Sequence, residues 1–171
     1  LSTPSSEVVL TNGMIKRFSS PSNSYRYFKV VANSMEAIHF SVTALQGDPD
    51  LYIGVEGDSC PAPCRPSATT HTWSSAESSE EMMTRRYETV TIASDDVHRC
   101  AHPPCAFHVA VLSDWSPSVY SIAVNWGQTP VRLSDGVPIA GAATLSAPRY
   151  FVTRVAGTHA SLTLSLFMSQ G

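Results

Sequence analysis

Charged side chains are scarce in this sequence. They make up 15% of its 171 residues and sum to a formal net charge of −3, whereas an average soluble domain is about 25% charged. No cluster of basic residues exceeds a pair such as Arg85-Arg86, so the chain cannot neutralise a row of phosphates or bind an acidic membrane strongly. We predict that nucleic acid is not a partner.

Long apolar runs and catalytic motifs are missing as well. No window approaches the roughly 20 consecutive apolar residues of a membrane span, so we expect no membrane insertion in this segment. No Gly-x-Ser-x-Gly occurs, which is the turn that presents the serine nucleophile of many hydrolases. His39 and His108 lie in alternating runs, where we expect sheet residues rather than catalytic bases. We predict that the protein is not an enzyme and requires no cofactor.

Cysteine occurs four times, in two close pairs. Cys60 and Cys64 form one pair and Cys100 and Cys105 the other, each in a proline-rich, loop-like setting. An even number in such settings favours disulfides and an oxidising, extracellular compartment. Three pairings are open, and we favour the two local ones because each pair is within reach of disulfide geometry. Zinc bound with nearby histidines is the alternative, but C-x3-C and C-x4-C depart from the common C-x2-C spacing.

Apolar and polar residues alternate in several short runs, and Ser, Asp, Pro or Gly flank each run. This period of two is typical of β-strands. Residues 74–86 have some helical character but too few apolar residues for a helical stripe, so we expect a loop there. Six strands are predicted, at residues 25–31, 37–44, 50–55, 87–92, 106–112 and 119–124.

A partial internal repeat is the most informative feature of the sequence. Leu10-Thr11-Asn12-Gly13 precedes Tyr27-Phe28 at the same spacing at which Leu133-Ser134-Asp135-Gly136 precedes Tyr150-Phe151. Both matches are offset by 123 residues. The repeat therefore predicts two copies of one module.

The second copy contains only the beginning of that module. Residues 38–45 match residues 162–169 after a one-residue slip, and nothing matches the strands that follow in the first copy. We predict a complete module at residues 1–128 and the first strands of a second copy at residues 129–171. Two or three strands cannot bury both faces of a sandwich, so we do not expect the second copy to be stable alone. We favour a longer tandem array; the alternative is packing on the first module or on a neighbouring chain by strand exchange.

One motif carries a family resemblance. The hexad Gly47-Asp48-Pro49-Asp50-Leu51-Tyr52, after the runs that start at Tyr27 and Ile38, resembles the Gly-Asp-x-Asp-Leu-Tyr hallmark of the bacterial pre-peptidase C-terminal domain family. The likeness continues in the family's order to about residue 126. It implies an all-β, jelly-roll-like antiparallel β-sandwich, used as an accessory module of secreted hydrolases and in larger extracellular proteins. The cysteine pairs and an insertion at residues 67–86 depart from the usual pattern.

Asp48 and Asp50 flank a proline at the entrance to a predicted strand. Their carboxylates can accept backbone N–H bonds that fix the turn, or they can ligate calcium, as some relatives in the resembled family do. We favour the first role, because calcium needs six or more oxygen ligands. Further ligands would have to come from acidic residues elsewhere, namely Glu56, Asp58, Asp95 and Asp96.

Aromatic residues form a candidate binding surface. Aromatic faces supply contact area at low entropy cost, which suits stacking on sugar or peptide; packing at the loop ends of a sandwich is the alternative. Trp115, in Ser-Asp-Trp-Ser-Pro between two predicted strands, is the one we expect to be exposed. The candidates are Trp73, Trp115, Trp126 and Tyr120, together with Tyr25.

These observations predict a non-catalytic extracellular module, repeated along a larger secreted or cell-surface glycoprotein, with a structural or adhesion role. Its partners would be other modules of the same or neighbouring chains, carbohydrate, or extracellular matrix protein. Any glycan would be O-linked, because no Asn-x-Ser/Thr occurs. The alternative is a substrate-targeting accessory domain of a secreted hydrolase that binds protein or polysaccharide.

Overall fold

The structure is a computed structural model that describes residues 7–57, 60–75, 87–141, 143, 148–157 and 161–168. Strands joined by turns and loops make up these ranges, and no helix in them is long and apolar enough to span a bilayer. The strands are β1 (Val8–Leu10), β2 (Ile15–Ser20), β3 (Ser24–Ala32), β4 (Ile38–Gln46), β5 (Pro49–Gly54), β6 (Trp73–Ser74), β7 (Tyr87–Ile92), β8 (Cys105–Ser113), β9 (Ser118–Trp126), β10 (Val131–Arg132) and β11 (Phe151–Val152).

Two sheets pack face to face. The first has five strands in the order β1-β3-β8-β5-β6, and the second has four in the order β2-β9-β4-β7. Neighbouring strands in both sheets run antiparallel, apart from β1 and β3, which are parallel. The prediction of an all-β, jelly-roll-like antiparallel sandwich is confirmed.

The core lies between the two sheets. Every second residue of the central strands faces inward, because successive side chains of a strand point to opposite faces. Phe28 and Phe107 enter from the five-stranded sheet, Phe40 and Tyr120 enter from the four-stranded sheet, and all four are at most 1% exposed. Burying one phenylalanine contributes about 1.5–3 kcal/mol. The first copy therefore has a substantial core of its own.

A buried arginine ties together the loops at one end of the sandwich. Nη1 of Arg99 donates to the carbonyl oxygens of Met35, Glu36 and Ala93, and Nη2 donates to that of Ser34, all at 3.1 to 3.2 Å. A guanidinium suits this place because it offers several donors in a fixed geometry. The β3–β4 connection is thereby fastened to the β7–β8 connection.

The six predicted strands correspond to β3, β4, β5, β7, β8 and β9, with ends that differ by at most two residues. Alternation did not predict β1, β2 or β6. Two of these are only two or three residues long, and β2 is a sheet edge with mostly half-exposed side chains. Ser74 was predicted in a loop and lies in β6, whereas residues 76–86 of that predicted loop are outside the described residues.

Two short strands lie in residues 129–171, the predicted second copy. Val131 and Arg132 of β10 pair in parallel with Phe151 and Val152 of β11. Residues 153–157 and 161–168 form no regular strand. The large apolar side chains that are exposed at residues 150–157 and 161–168 are Tyr150, Phe151, Val152, Val155, Leu162, Leu164, Leu166, Phe167 and Met168.

Candidate binding surfaces on the two outer faces

The outer face of the five-stranded sheet carries three tyrosines, which we call the tyrosine cluster (Tyr25, Tyr27 and Tyr52). Tyr27 and Tyr52 both oppose Ala110 of β8, from the strand on either side of it. The ring centroid of Tyr25 lies 6.0 Å from that of Tyr27 and 6.5 Å from that of Tyr52. The fully buried Ala110 lies beneath the rings. Tyr52 is itself buried, at 5% exposure, so the half-buried Tyr25 and Tyr27 supply the aromatic surface of this face.

A loop that contains the first disulfide packs on the same face. The Cys60–Cys64 bridge lies against Gly54, where an added Cβ would come within 3.0 Å of both Sγ atoms. Farther along this loop, the guanidinium carbon of Arg65 lies 4.7 Å from the ring centroid of Tyr27, which is a favourable cation–π distance. The loop therefore covers part of the tyrosine cluster.

Three carboxyl groups lie beside the tyrosine cluster. Asp50 is on β5, two residues before the Tyr52 of the cluster, Asp48 precedes that strand, and Asp114 follows β8. Burial, and after it the charges of Asp48 and Asp114, raise the pKa of Asp50 to about 6. Burial also raises the pKa of Asp48. A cationic group at this edge would relieve the repulsion between the carboxylates.

These residues do not make up a calcium shell. In the described ranges, no group of three or more His, Cys, Asp and Glu side chains is placed to hold a metal ion. Two of the further acids named from the sequence have other partners: Glu56 lies 3.8 Å from Nε2 of His108, and Asp96 accepts the indole N–H of Trp73. Asp58 is outside the described residues. Calcium at the two predicted aspartates stays a prediction.

The four aromatic residues predicted as one binding surface are not brought together. The prediction is wrong for Tyr120, which is fully buried because it faces the core from β9, with its hydroxyl 3.4 Å from Oγ of Ser20. Trp73 and Trp126 are half-buried and pack against the core. Trp115 is 87% exposed, but it lies in the β8–β9 loop, at the opposite end of β9 from Trp126. Binding through Trp115 stays a prediction.

The sequence did contain a signal for the tyrosine cluster. Tyr25 and Tyr27 are out of phase with Phe28 and Val30 on the same strand, and Tyr52 is out of phase with its neighbours on β5. Since alternate residues of a strand share a face, the tyrosines had to lie opposite the core. Their meeting across β8 depends on strand order, which no pattern in the sequence specifies.

The cysteines form the two local disulfides that the sequence favours. Cys60 is joined to Cys64, and Cys100 is joined to Cys105. Zinc binds the thiolate form of cysteine, so the alternative zinc site has no cysteine ligand in this arrangement. Each bridge closes a short loop beside a sheet.

The outer face of the four-stranded sheet is covered by the second copy. Thr43 of β4 and Ser121 of β9 are cross-strand partners on this face, and both are less than 9% exposed. Residues 133–141, which we call the strap, pass over them. The Ser121 hydroxyl donates to the carbonyl of Pro138, and the N–H of Ala140 donates to Oγ1 of Thr43, both at 2.8 Å. The strap therefore binds the sheet through one hydrogen bond to each strand.

Arg149, which follows the strap in the sequence, changes the pKa of a histidine on the same face. Burial, and after it the charge of Arg149, lowers the pKa of His39 on β4 to about 4. Burial also lowers the pKa of Arg149. Nδ1 of His39 lies 2.9 Å from Oγ1 of Thr91 on β7. His39 is therefore neutral at neutral pH.

The turn between β1 and β2 contacts the start of the second copy. Gly13 has a φ of +75°, a conformation that favours glycine, and its carbonyl accepts the N–H of Arg132 at 2.7 Å. An added Cβ at Gly13 would lie 2.6 Å from the carbonyl oxygen of Pro130. The side-chain amide of Asn12 donates to Oγ1 of Thr129 at 3.0 Å. Backbone and side chain of one turn thus hold residues 129–132.

The strand pairing of β1 with β3 recurs in the predicted second copy, between β10 and β11. Val8 pairs in parallel with Phe28, and Val131 pairs in parallel with Phe151, so both partners are shifted by 123 residues. The pairing of the next residue in each strand is shifted by the same amount. The register is identical in the two copies.

The second copy also repeats the first turn. The N–H of Met14 donates to the carbonyl of Thr11 at 3.1 Å, and 123 residues later the N–H of Val137 donates to the carbonyl of Ser134 at 3.2 Å. The glycine of each turn has a positive φ, +75° in the first and +66° in the second. The same local conformation therefore follows the first strand of each copy.

Known proteins provide fold neighbours for this chain. No family model and no curated protein matches it. Among solved structures, it is similar to the pre-peptidase C-terminal domain of a collagenase from Bacillus anthracis, with a TM-score of 0.44 and 10% identity over 72% of this chain and 100% of that one. It is also similar to PliG of Aeromonas hydrophila, a periplasmic lysozyme inhibitor of g-type lysozyme, with a TM-score of 0.36 and 7% identity over 71% of this chain and 100% of that one. One neighbour thus bears the name of the family that the sequence resembles.

Proposed function

We propose that the protein is a non-catalytic extracellular module, repeated in a larger secreted or cell-surface glycoprotein, with a structural and adhesive role. The observation that carries this proposal is the identical register of the β1–β3 and β10–β11 pairs, 123 residues apart. Register is set by the hydrophobic pattern and by turn geometry, and both recur here. This recurrence supports two starts of one fold.

The two disulfides support the extracellular compartment. Disulfides persist in secreted and cell-surface proteins and are rare in a reducing cytosol. Mass spectrometry after alkylation, with and without reductant, tests this part of the proposal. We expect no labelled cysteine before reduction and four afterwards; four labelled cysteines in the protein as secreted would contradict an oxidised state.

The half-buried Tyr25 and Tyr27 and the exposed Trp115 support the adhesive role. Trp115 follows Asp114, whose charge affects Asp50 at the edge of the cluster, so aromatic and acidic groups occur on the same side of the module. Aromatic faces stack on sugar rings and on apolar side chains at low entropy cost. Polysaccharide or an extracellular matrix protein would suit such a surface.

Replacing Trp115 by alanine tests adhesion. Val97 is equally exposed, at 87%, in the β7–β8 connection, so Val97→Ala is a matched control. We expect Trp115→Ala to weaken binding to an array of glycans and matrix proteins at least tenfold, while Val97→Ala leaves it unchanged. Equal binding by the unmodified protein and both variants would remove Trp115 from the adhesive surface.

Completing the second copy tests the proposed repeat. Residues 48–128 of the first copy supply the strands that follow β4, so a fusion that attaches them after residue 171 offers the second copy its missing partners. We expect Phe151 to become buried, and Phe151→Ala to destabilise the fusion about as much as Phe28→Ala destabilises the first module. If Phe151→Ala remains neutral in a soluble fusion, residues 129–171 do not start a module of this kind.

Calcium is tested by thermal unfolding with and without chelator. A ligand that binds only the folded protein raises its midpoint. We expect a higher midpoint with calcium than with chelator if Asp48 and Asp50 ligate it. An unchanged midpoint, with Asp50→Asn as the control, would exclude a stabilising calcium site at these aspartates.

A further inference from the structure

The outer face of the four-stranded sheet has the chemistry of an internal interface. The inward-facing residues of β4 and β9 form the core, yet the residues between them are also buried, with Ser121, Ala123 and Asn125 of β9 at 0%, 2% and 6% exposure. A sheet with one core face normally leaves its other face to water. Short side chains here allow another backbone to approach closely.

The second copy supplies that backbone. The strap crosses the cross-strand pair of Thr43 and Ser121 at Pro138 and Ala140, and its hydrogen bonds to these hydroxyls use main-chain groups. Gly141 follows, and an added Cβ there would come within 4.0 Å of the Arg149 side chain. At both contacts with the sheet, a short hydroxyl side chain of the sheet therefore meets a main-chain group of the strap.

A second contact lies at the neighbouring edge. Arg132 donates its N–H to the Gly13 carbonyl, and Met14 and Arg132 form a parallel bridge. Val131, beside this bridge, is 4% exposed. The start of β10 is thus held by the first turn while the strap is held by the sheet.

We infer that these two contacts form a joint between consecutive modules: the β1–β2 turn and the outer face of the four-stranded sheet of one module bind the first strand of the next and the residues that follow its first turn. The inference rests on the proposed function, because it treats residues 131–168 as the start of a following module. Two separated contacts fix the relative orientation of their partners, whereas a single flexible linker would not. A chain of such modules would be stiff at every joint.

The geometry of the two glycine turns provides a matched test. Gly13 and Gly136 both have positive φ, so alanine strains the two backbones alike. Only Gly13 faces the following segment, since an added Cβ would lie 2.6 Å from the Pro130 carbonyl oxygen, whereas nothing lies within 4 Å of one at Gly136. Gly13→Ala should therefore open the joint, and Gly136→Ala should not.

Amide hydrogen exchange of the complete chain, followed by NMR, measures the joint directly. In the unmodified protein we expect the amides of Arg132 and Ala140 to exchange at least tenfold more slowly than that of the exposed Leu164. Gly13→Ala should abolish this protection and leave the core amide of Val109 protected, while Gly136→Ala should retain it. Exchange at Arg132 and Ala140 as fast as at Leu164 in the unmodified protein would overturn the inference.

A second variant covers the case in which Gly13→Ala unfolds the module. Thr43→Val keeps the shape of the side chain and removes the acceptor of the Ala140 N–H, whereas Thr89→Val makes the same change at an exposed position of β7. Losing one hydrogen bond should speed exchange at Ala140 about fivefold, and Thr89→Val should leave it unchanged. No effect of Thr43→Val would show that the strap is not seated on this sheet.

These measurements use only the contacts within this chain. A failed fusion experiment would therefore reject the repeat without contradicting the contact between the strap and the sheet.

Discussion

Strand β4 and residues 162–168 have matching alternation and opposite environments. Ile38, Phe40 and Val42 are at most 1% exposed in the first copy, whereas the corresponding residues of the second, at an offset of 124, are 52%, 67% and 90% exposed. In the first copy β7 and β9 pair with the strand on both sides. The second copy has no paired neighbour for residues 162–168 among the described residues. Alternation thus specifies what a strand is able to bury, and its partner strands determine whether it does.

The pairs that do recur have a different origin. β1 and β3 pair within 23 residues of chain, and so do β10 and β11, whereas β3 pairs with β8 about 80 residues later. Closing a shorter loop costs less conformational entropy. The short-range pairing therefore recurs between β10 and β11.

The largest effect on stability is expected at two equivalent phenylalanines, Phe28 and Phe151. Phe28 is fully buried, whereas Phe151, the equivalent residue at an offset of 123, is 47% exposed. Phe28→Ala should lower the free energy of unfolding by about 3–5 kcal/mol, because a buried phenylalanine leaves a cavity. Phe151→Ala should cost less than about 1 kcal/mol. Urea unfolding measures both, and equal losses would mean that the two copies have equal cores.

Arg99 provides a second test, because it fastens together two loops of residues 1–128. Arg99→Lys should lower the free energy of unfolding by about 2–3 kcal/mol, since an ammonium cannot reach all four carbonyls and leaves some of them buried without donors. Arg17→Lys, at an exposed position of β2, should stay within about 0.5 kcal/mol. A neutral Arg99→Lys would mean that the loops are held by other contacts.

Asp50 lies beside the tyrosine cluster on one outer face, and His39 lies on the other outer face, which the strap crosses. The titration of these two groups therefore compares the two faces. Asp50 has a pKa of about 6, above its unfolded value of 3.8, so the folded state holds the proton more tightly and stability falls as pH rises from about 4 to 6. His39 has a pKa of about 4, below 6.5, so the unfolded state takes up the proton first and stability falls as pH drops from 6.5 to 4.

Asp50 and His39 change stability in opposite directions as pH rises, and substituting each residue in turn should separate the two contributions. Asp50→Asn should leave stability rising between pH 4 and 6.5, and His39→Gln should leave it falling over the same window. Each change should be on the order of 1 kcal/mol, because partial exposure screens both groups. Midpoints of urea unfolding at several pH values give the slopes, and identical profiles for the two variants would contradict both assignments.

The smallest effect on stability is expected at residues 162–168, where the large apolar side chains are exposed. Leu166→Thr removes an apolar side chain that is 90% exposed, so the free energy of unfolding should change by less than about 0.5 kcal/mol. Association of the protein at high concentration, measured by light scattering, should decrease because exposed apolar surface promotes it. Val42→Thr, the equivalent change in the first copy, should cost more than 1 kcal/mol. Similar losses at the two sites would indicate that residues 162–168 are buried in solution.

Much of the first module was predictable from local pattern. The run from Tyr25 to Val31 specifies a strand, its inner face and its outer tyrosines, because the pleat has a period of two. Tyr120 was misassigned although its phase matches Ile122 and Val124, which face the core. Its aromatic type suits a binding surface, whereas its phase on β9 specifies the core.

Such patterns cannot predict the contacts of the strap. Its contacts at Pro138 and Ala140 use main-chain groups, and a backbone carbonyl or amide leaves no mark in the sequence. The effect of Asp114 on Asp50 likewise depends on β8 lying beside β5, a pairing between distant segments. Sequence patterns specify faces, and they leave open which distant segments meet.

The strap and the tyrosine cluster lie on opposite outer faces of the first module, and this separation bears on avidity. If one face of every module is occupied by its neighbour along the chain, the part of the other face that the Cys60–Cys64 loop leaves uncovered recurs at a regular interval. A ligand with many equal units, such as a polysaccharide or a fibrous protein, could then engage several faces at once. Linked weak sites of this kind bind far more tightly together than each does alone, provided that their spacing suits the ligand.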